Sequence, residues 1–241
     1  MNKTIVMALL SSGLILNAPA FARDVSVEIT NLTNGIYFTP LLVAAHSQDV
    51  DLFEVGTSAS AGLQAMAEGG DISGLILEVE SHGGIYVANP AAGLLAPGAT
   101  VSADLELENH HKTYLSITGM LLPTNDGFVG LDALRLPKKR GTYTFYLKGY
   151  DAGTEANDEI INGGGAPGVA GIPADPGGNG GSGATGAAGV DHNATVHIHR
   201  GVLGDTDSVG GISDLDSRVH HWANSVARLV VTIKEGDEGN E

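Results

Sequence analysis

Apolar and polar residues alternate with period two in several stretches of the chain, the pattern of half-buried β-strands. Val25, Val27 and Ile29 alternate with Ser26, Glu28 and Thr30. Val101, Ala103, Leu105 and Leu107 alternate with Ser102, Asp104, Glu106 and Glu108, whose carboxylates belong in water. Tyr114 to Thr118, Thr142 to Lys148, Thr195 to His199 and Val226 to Lys234 are read the same way. Tyr143, Phe145 and Leu147 share one face of the second of these, and Ala227, Leu229, Val231 and Ile233 one face of the last. Their β-branched and aromatic content supports strands.

Helical signals are few. One helix is predicted from about Ala59 to Glu68, with Ser58 as N-cap and Gly69-Gly70 as its stop, and a shorter helical turn near Asp71 to Ile76. Short strands separated by Gly, Asn and Asp turns predict an all-β fold, an antiparallel β-sandwich with one or two short helices. Between Gly163 and Gly189 the composition shifts to Gly, Ala and Pro, with Asp175 the only charged residue. No strict Gly-x-y period is present, and few large apolar side chains are available there, so this stretch reads as a flexible surface loop.

The N-terminus brings a different signal. Lys3 precedes an uncharged, mostly apolar run from Thr4 to Leu16, and Ala20-Phe21-Ala22 follows. Charged start, apolar middle and small-residue exit in that order predict an export signal over residues 1–22. The run is too short to span about 30 Å of hydrocarbon as a helix, and no later segment is long enough. A mature chain beginning at Arg23 would hold 241 less 22, or 219, residues, and one all-β domain over 23–241 is the natural reading. The formal charge of −16 becomes −17 without Lys3. So acidic a chain is a poor ligand for a phosphate backbone and attracts cations, which argues against nucleic acid as a partner. With 0 cysteines there is neither a disulfide staple nor a thiolate nucleophile. Asn31-Leu32-Thr33 and Asn193-Ala194-Thr195 fit the glycosylation acceptor pattern, which has meaning only where the transferase is present.

Two acidic turns carry the most chemical information. Met120 to Asp126 leads into Gly127-Phe-Val-Gly130-Leu-Asp132-Ala-Leu134, and the strand that returns through Thr142 to Lys148 runs into Tyr150-Asp151-Ala-Gly-Thr-Glu155. A chain that leaves one edge after Asp126 and comes back before Asp151 can bring the two turns to one end of the sandwich. Converging carboxylates repel, and a hard cation with oxygen ligands relieves the repulsion. Gly153 permits a tight turn between Asp151 and Glu155, where backbone carbonyls can add oxygens. Spacing alone leaves a second reading open, in which Asp126 and Asp151 simply cap their turns.

The string from Leu122 to Leu134 resembles the S-P-S-P-D-W-x-V-G-x-x-x-L segment of the spondin-domain family, and Tyr150 to Glu155 resembles its W-D-A-G-T-D turn. Val226-Ala-Arg-Leu-Val-Val-Thr-Ile233 is similar to that family's C-terminal strand, and the N-terminal strand and Leu52 to Gly56 more loosely so. The resemblance implies a sandwich like that of C2 domains and a calcium ion held by three acidic residues, here Asp126, Asp151 and Glu155. Glu155 stands where the family has aspartate, Gly127 where it has tryptophan, and the family's cysteines are missing. With the export signal, the resemblance implies a bacterial periplasmic or extracellular binding or adhesion module. Its partner would be an unknown protein or envelope or matrix component.

His192, His197 and His199 offer an alternative, a metalloenzyme or transition-metal binder whose centre is completed by His220 or His221. A solvated polar face of His197 and His199, alternating with Val196 and Ile198, explains the same residues. Asp205, Asp207, Asp214 and Asp216 form a further acidic group, read as solvated loop charge. No G-x-S-x-G, H-E-x-x-H, P-loop or dinucleotide fingerprint is present, and a non-enzymatic protein is expected.

Overall fold

The computed structural model describes residues 23–107, 112–178, 180–187 and 194–234. The predicted export signal, and with it His192, lies outside these. The elements are β1 (Arg23–Asn31), β2 (Tyr37–Phe38), β3 (Leu42–His46), α1 (Ala61–Gly69), α2 (Ser73–Ser81), β4 (Ile85–Ala88), β5 (Thr100–Leu107), β6 (Tyr114–Leu122), β7 (Gly127–Arg135), β8 (Gly141–Asp151), β9 (His197–Ile198) and β10 (Ala227–Ile233).

All strand pairing between these elements is antiparallel, in the order β4-β3-β6-β7-β8-β10-β1-β5, with β2 on β6 and β9 on β8. The sheet curls until its end strands β4 and β5 touch without a ladder between them. This is an all-β, sandwich-like fold that is nearly closed. Inside the curl, Val25, Val27 and Ile29 meet Leu229, Val231 and Ile233 on one wall and Val43, Leu115 and Ile117 on the other. On β1, β5 and β10 more exposed residues alternate with the buried ones, as the period-two pattern requires.

A second core lies outside the curl. There Leu63, Met66 and Ala67 of α1 and Leu75 and Val79 of α2 cover Leu42, Ala44, Met120 and Phe128. The strands β3 and β6 are therefore buried on both faces, β3 along its whole length. Double burial erases alternation and leaves a continuous apolar run. The helix expected over 59–68 begins two residues later: Ser60 Oγ accepts from Leu63 N at 3.1 Å, and Gly70 at φ 74° closes the helix. The helical turn expected near 71–76 extends to Ser81 as α2. α1 and α2 approach at Gly62 and Gly74, where a Cβ on Gly74 would lie 2.9 Å from Gly62 Cα.

The Gly-rich stretch has no helix or strand among its described residues, yet it is seated on the domain. Ile172 is fully buried in the inner core and forms a parallel bridge with Ile161. Its glycine and serine amides serve carboxylates elsewhere, Gly168 N donating to Glu68 Oε2 at 2.6 Å and Ser182 N to Asp214 Oδ1 at 2.6 Å.

Candidate functional site

β6 ends at Leu122, and Pro123 to Asp126 turn the chain into β7. Thr124 fixes this turn: its hydroxyl donates to Leu121 O at 2.6 Å and accepts from Gly127 N at 3.0 Å. Since Gly127 pairs with Asp151 across the β7–β8 ladder, the end of one strand delivers Asp151 beside the start of the other. Ala152 N then donates to the Asp126 carbonyl at 3.2 Å. Gly153 has φ 70°, and a Cβ there would stand 2.6 Å from the Thr195 backbone, so the turn between Asp151 and Glu155 demands glycine on two counts.

Asp126 is fully buried. Its Oδ2 accepts from Thr154 N at 2.8 Å, Thr154 Oγ1 at 3.2 Å and Glu155 N at 3.0 Å. Its Oδ1 is buried with no hydrogen-bond partner. Burial first, and the neighbouring Asp151 charge second, push its carboxyl up to about 7, against the pull of those donors. Asp151, also buried, accepts from Gly153 N at 2.8 Å and Asn157 Nδ2 at 2.7 Å, and His197 Nε2 lies 3.7 Å from its Oδ2. Register explains the histidine, because His197 of β9 pairs with Asp151 of β8.

Glu155 joins Asp126 through its backbone, while its side chain turns elsewhere. Oε2 accepts from Gly171 N at 2.9 Å and, at 3.4 Å, from Asn125 Nδ2. Oε1 is buried without a hydrogen-bond partner. Burial, followed by the charges of Glu68 and Asp158, raises this carboxyl to about 7 as well. The structure thus brings Asp126 and Asp151 together and holds the Glu155 carboxylate on the Gly-rich stretch. Among the described residues no three His, Asp or Glu side chains are grouped as a ready-made metal cluster. Buried acidic oxygens without hydrogen-bond donors nevertheless fit a hard cation, and Asp126 Oδ1 is the one that would meet it first.

The sequence reading missed the polar support of these turns. Asn125, Asn157 and Glu159 are buried, Asn125 bridging Asp158 Oδ1 at 2.8 Å and Glu159 N at 3.2 Å. Its one signal was a polar run, Asn157-Asp158-Glu159, directly before Ile160-Ile161.

Among the described residues no three histidines or acidic side chains form the metal-holding group that the alternative reading assigns to His197, His199, His220 and His221. His199 Nδ1 accepts from Gly201 N at 2.9 Å, and its ring packs on Trp222 with centroids 4.9 Å apart. His220 faces Asp175, and His221 Nδ1 meets Val202 O at 2.6 Å. Nor do His197 and His199 form the polar outer face expected of them: His199 is buried and Ile198 is 44% exposed. A strand of two residues is too short to carry period two from Val196 to His199. Asp205, Asp207, Asp214 and Asp216 line a cavity of about 340 Å³ together with Asp175 and His220. Their charges are accommodated: the N–H groups of Ile212, Asp207 and Ser213 hold Asp205 below the usual carboxylate range, and Arg218 holds Asp216 at about 2.

An antiparallel, helix-backed β domain with an acidic turn pair at one end defines the class of protein. The Spondin_N family model matches residues 21–159, and the chain belongs to that family. Human Spondin-2 is 31% identical over 126 residues, covering 49% of this chain and 38% of the relative. Rat Spondin-2 is 29% identical over the same span and shares. The chain therefore matches well under half the length of these curated relatives. The family match contains both acidic turns but ends before β10, the strand that joins β8 to β1. No helix among the described residues is long and apolar enough to cross a membrane.

Proposed function

We propose that this protein is an exported binding or adhesion module in which calcium, held by Asp126, Asp151 and Glu155, orders the loops at one end of the domain. One observation carries the reading: a fully buried aspartate, next to a second one, has a carboxylate oxygen that no donor satisfies. An unsatisfied buried charge costs several kcal/mol, and a bound cation removes that cost. Asp126 and Asp151 supply the core of the ligand set. Glu155 completes it by leaving the Gly171 amide and turning toward Asp126. Membership of the Spondin_N family supports the module reading, the export signal expected over residues 1–22 supports a location in the bacterial periplasm or outside the cell, and an envelope or matrix component is the partner such a module would suit.

Equilibrium dialysis with calcium near pH 7.5 tests the proposal. One ion per chain is expected, with a Kd of about 10⁻⁴ to 10⁻³ M as for other extracellular modules. Asp126→Ala and Asp151→Ala should abolish uptake, and Glu155→Gln should weaken it. Unchanged uptake in both aspartate variants, or none in the wild type at about 10 mM calcium, ten or more times that Kd, rejects the site.

A further inference from the structure

The β7–β8 hairpin is electrically polar. Its acidic turns sit where β7 begins and β8 ends, and at the other end Arg135, Lys138, Lys139 and Arg140 occupy the connection. The ladders bring more cations to that end. Arg135 pairs with Tyr114 and Leu136 N donates to Thr113 O at 2.8 Å, which places Lys112 beside the connection. Gly141 pairs with Ile233, so Lys234 emerges there too. These six are half of the 12 Lys and Arg residues in a chain of formal charge −16. Five of them are exposed, Lys112 being half-buried. No salt bridge joins Arg135, Lys138, Lys139 or Lys234 to a described carboxylate. β8 has 11 residues, so this end stands roughly 33 Å from Asp151 at about 3.3 Å per residue.

The surroundings select the partner. None of the large exposed apolar side chains lies between residues 112 and 141, so the connection has no anchor for a lipid bilayer or an ordinary protein interface. Two aromatic rings stand at this end, Tyr114, which pairs with Arg135, and Tyr143, whose hydroxyl donates to Lys139 O at 3.0 Å; both are half-buried and so offer no open platform for a nucleobase. Asp104 and Glu106 share a cavity with Lys112 and would meet any broad anionic plane that approached this end. A narrow ligand of high charge density, read through charge alone, is what remains. We propose that the β7–β8 connection, centred on Lys138 and Lys139, binds a linear polyanionic polysaccharide carrying sulfate groups.

The test titrates the full chain, acidic residues 235–241 included, with heparin as the probe at about 50 to 200 mM NaCl, a range over which phosphate-type contacts weaken measurably. Three to four neutralised charges give a log–log salt slope of about −2 to −3 on the relation for single-stranded polyanions. Lys138→Gln with Lys139→Gln should weaken binding at least tenfold and make the slope shallower by about 1.4, at an unchanged melting temperature. Lys148→Gln with Arg228→Gln removes the same net charge from the sheet face and should leave affinity within twofold. Equal losses in the two double variants, no binding at the lowest salt, or tighter binding to phosphatidylglycerol vesicles or duplex DNA at equal charge concentration each overturns the proposal.

Discussion

Asp126→Asn separates the cost of a buried charge from the gain of a bound ion. The amide keeps an acceptor for Thr154 and Glu155 and removes the charge that faces Asp151. A carboxyl raised from 3.8 to about 7 is ionised at pH 8, at a cost to the folded state on the order of 4 kcal/mol, about 1.4 kcal/mol per pH unit. In chelator at pH 8 the variant should therefore melt higher than the wild type. A domain of about 200 residues shifts by ~2–4 °C per kcal/mol, so even half this effect is readily measured by calorimetry. Adding calcium at 10 to 100 times Kd should stabilise the wild type by ~1.4–2.7 kcal/mol, or ~3–11 °C, and leave the variant where it was. The order of stability then narrows or reverses between the two conditions. If the variant melts below the wild type in chelator, the three donors to Oδ2 already compensate the charge. If calcium shifts both proteins equally, the ion binds elsewhere.

The same carboxyls set the pH dependence. Asp126 and Glu155 are raised in the folded state to about 7, so their stabilising protonated forms are fully present below about pH 4 and lost as pH rises to 7. Urea titrations in chelator should show that fall, and saturating calcium should flatten it. Asp132, lifted to about 6 chiefly by burial, adds a smaller fall between pH 4 and 6, and Asp132→Asn should remove it from the same titration. Gly153→Ala forces a Cβ into the Thr195 backbone at positive φ, with an expected loss of ~1–3 kcal/mol and weaker calcium uptake in dialysis. Ile172→Ala, in the Gly-rich stretch, should cost ~2–5 kcal/mol by urea unfolding, since that side chain is fully buried, whereas a detached spacer would tolerate it.

How much of this was legible depended on whether an element has one wet face. β1, β5, β8 and β10 do, and their inward residues Val25, Leu105, Leu147 and Leu229 follow from alternation alone. β3 has no wet face and carries no readable period, because Leu42 and Ala44 pack under the helices while Val43 and Ala45 face the inner core. Asp126 and Asp151 could be placed near one another because a hairpin joins their turns. The direction of the Glu155 side chain could not, since its hydrogen-bond donor is the amide of Gly171, 16 residues away across an irregular segment with no pattern to read. For the same reason the sequence showed no hint that His46 meets Ser116 at 2.8 Å, a contact set by the β3–β6 register.

The Gly-rich stretch changes meaning once its contacts are known. Side chains that could solvate a buried carboxylate, Lys and Arg, are absent from it, yet Gly168, Gly171, Ser182 and Ala184 direct backbone N–H groups at Glu68, Glu155 and Asp214. Glycine is suited to this because the absence of Cβ lets the chain bend until several amides point inward, as at Gly165, Gly168 and Gly171 with φ of 147°, 79° and 123°. Low-complexity composition thus acts as a flexible ligand for acidic groups that lysine would pair more tightly. Amides are neutral, so they leave the Glu155 carboxyl raised and its second oxygen without a donor. In the proposed calcium site such a carboxylate would exchange its neutral amide donor for the cation, which a salt-bridged one could not do without stranding its partner's charge.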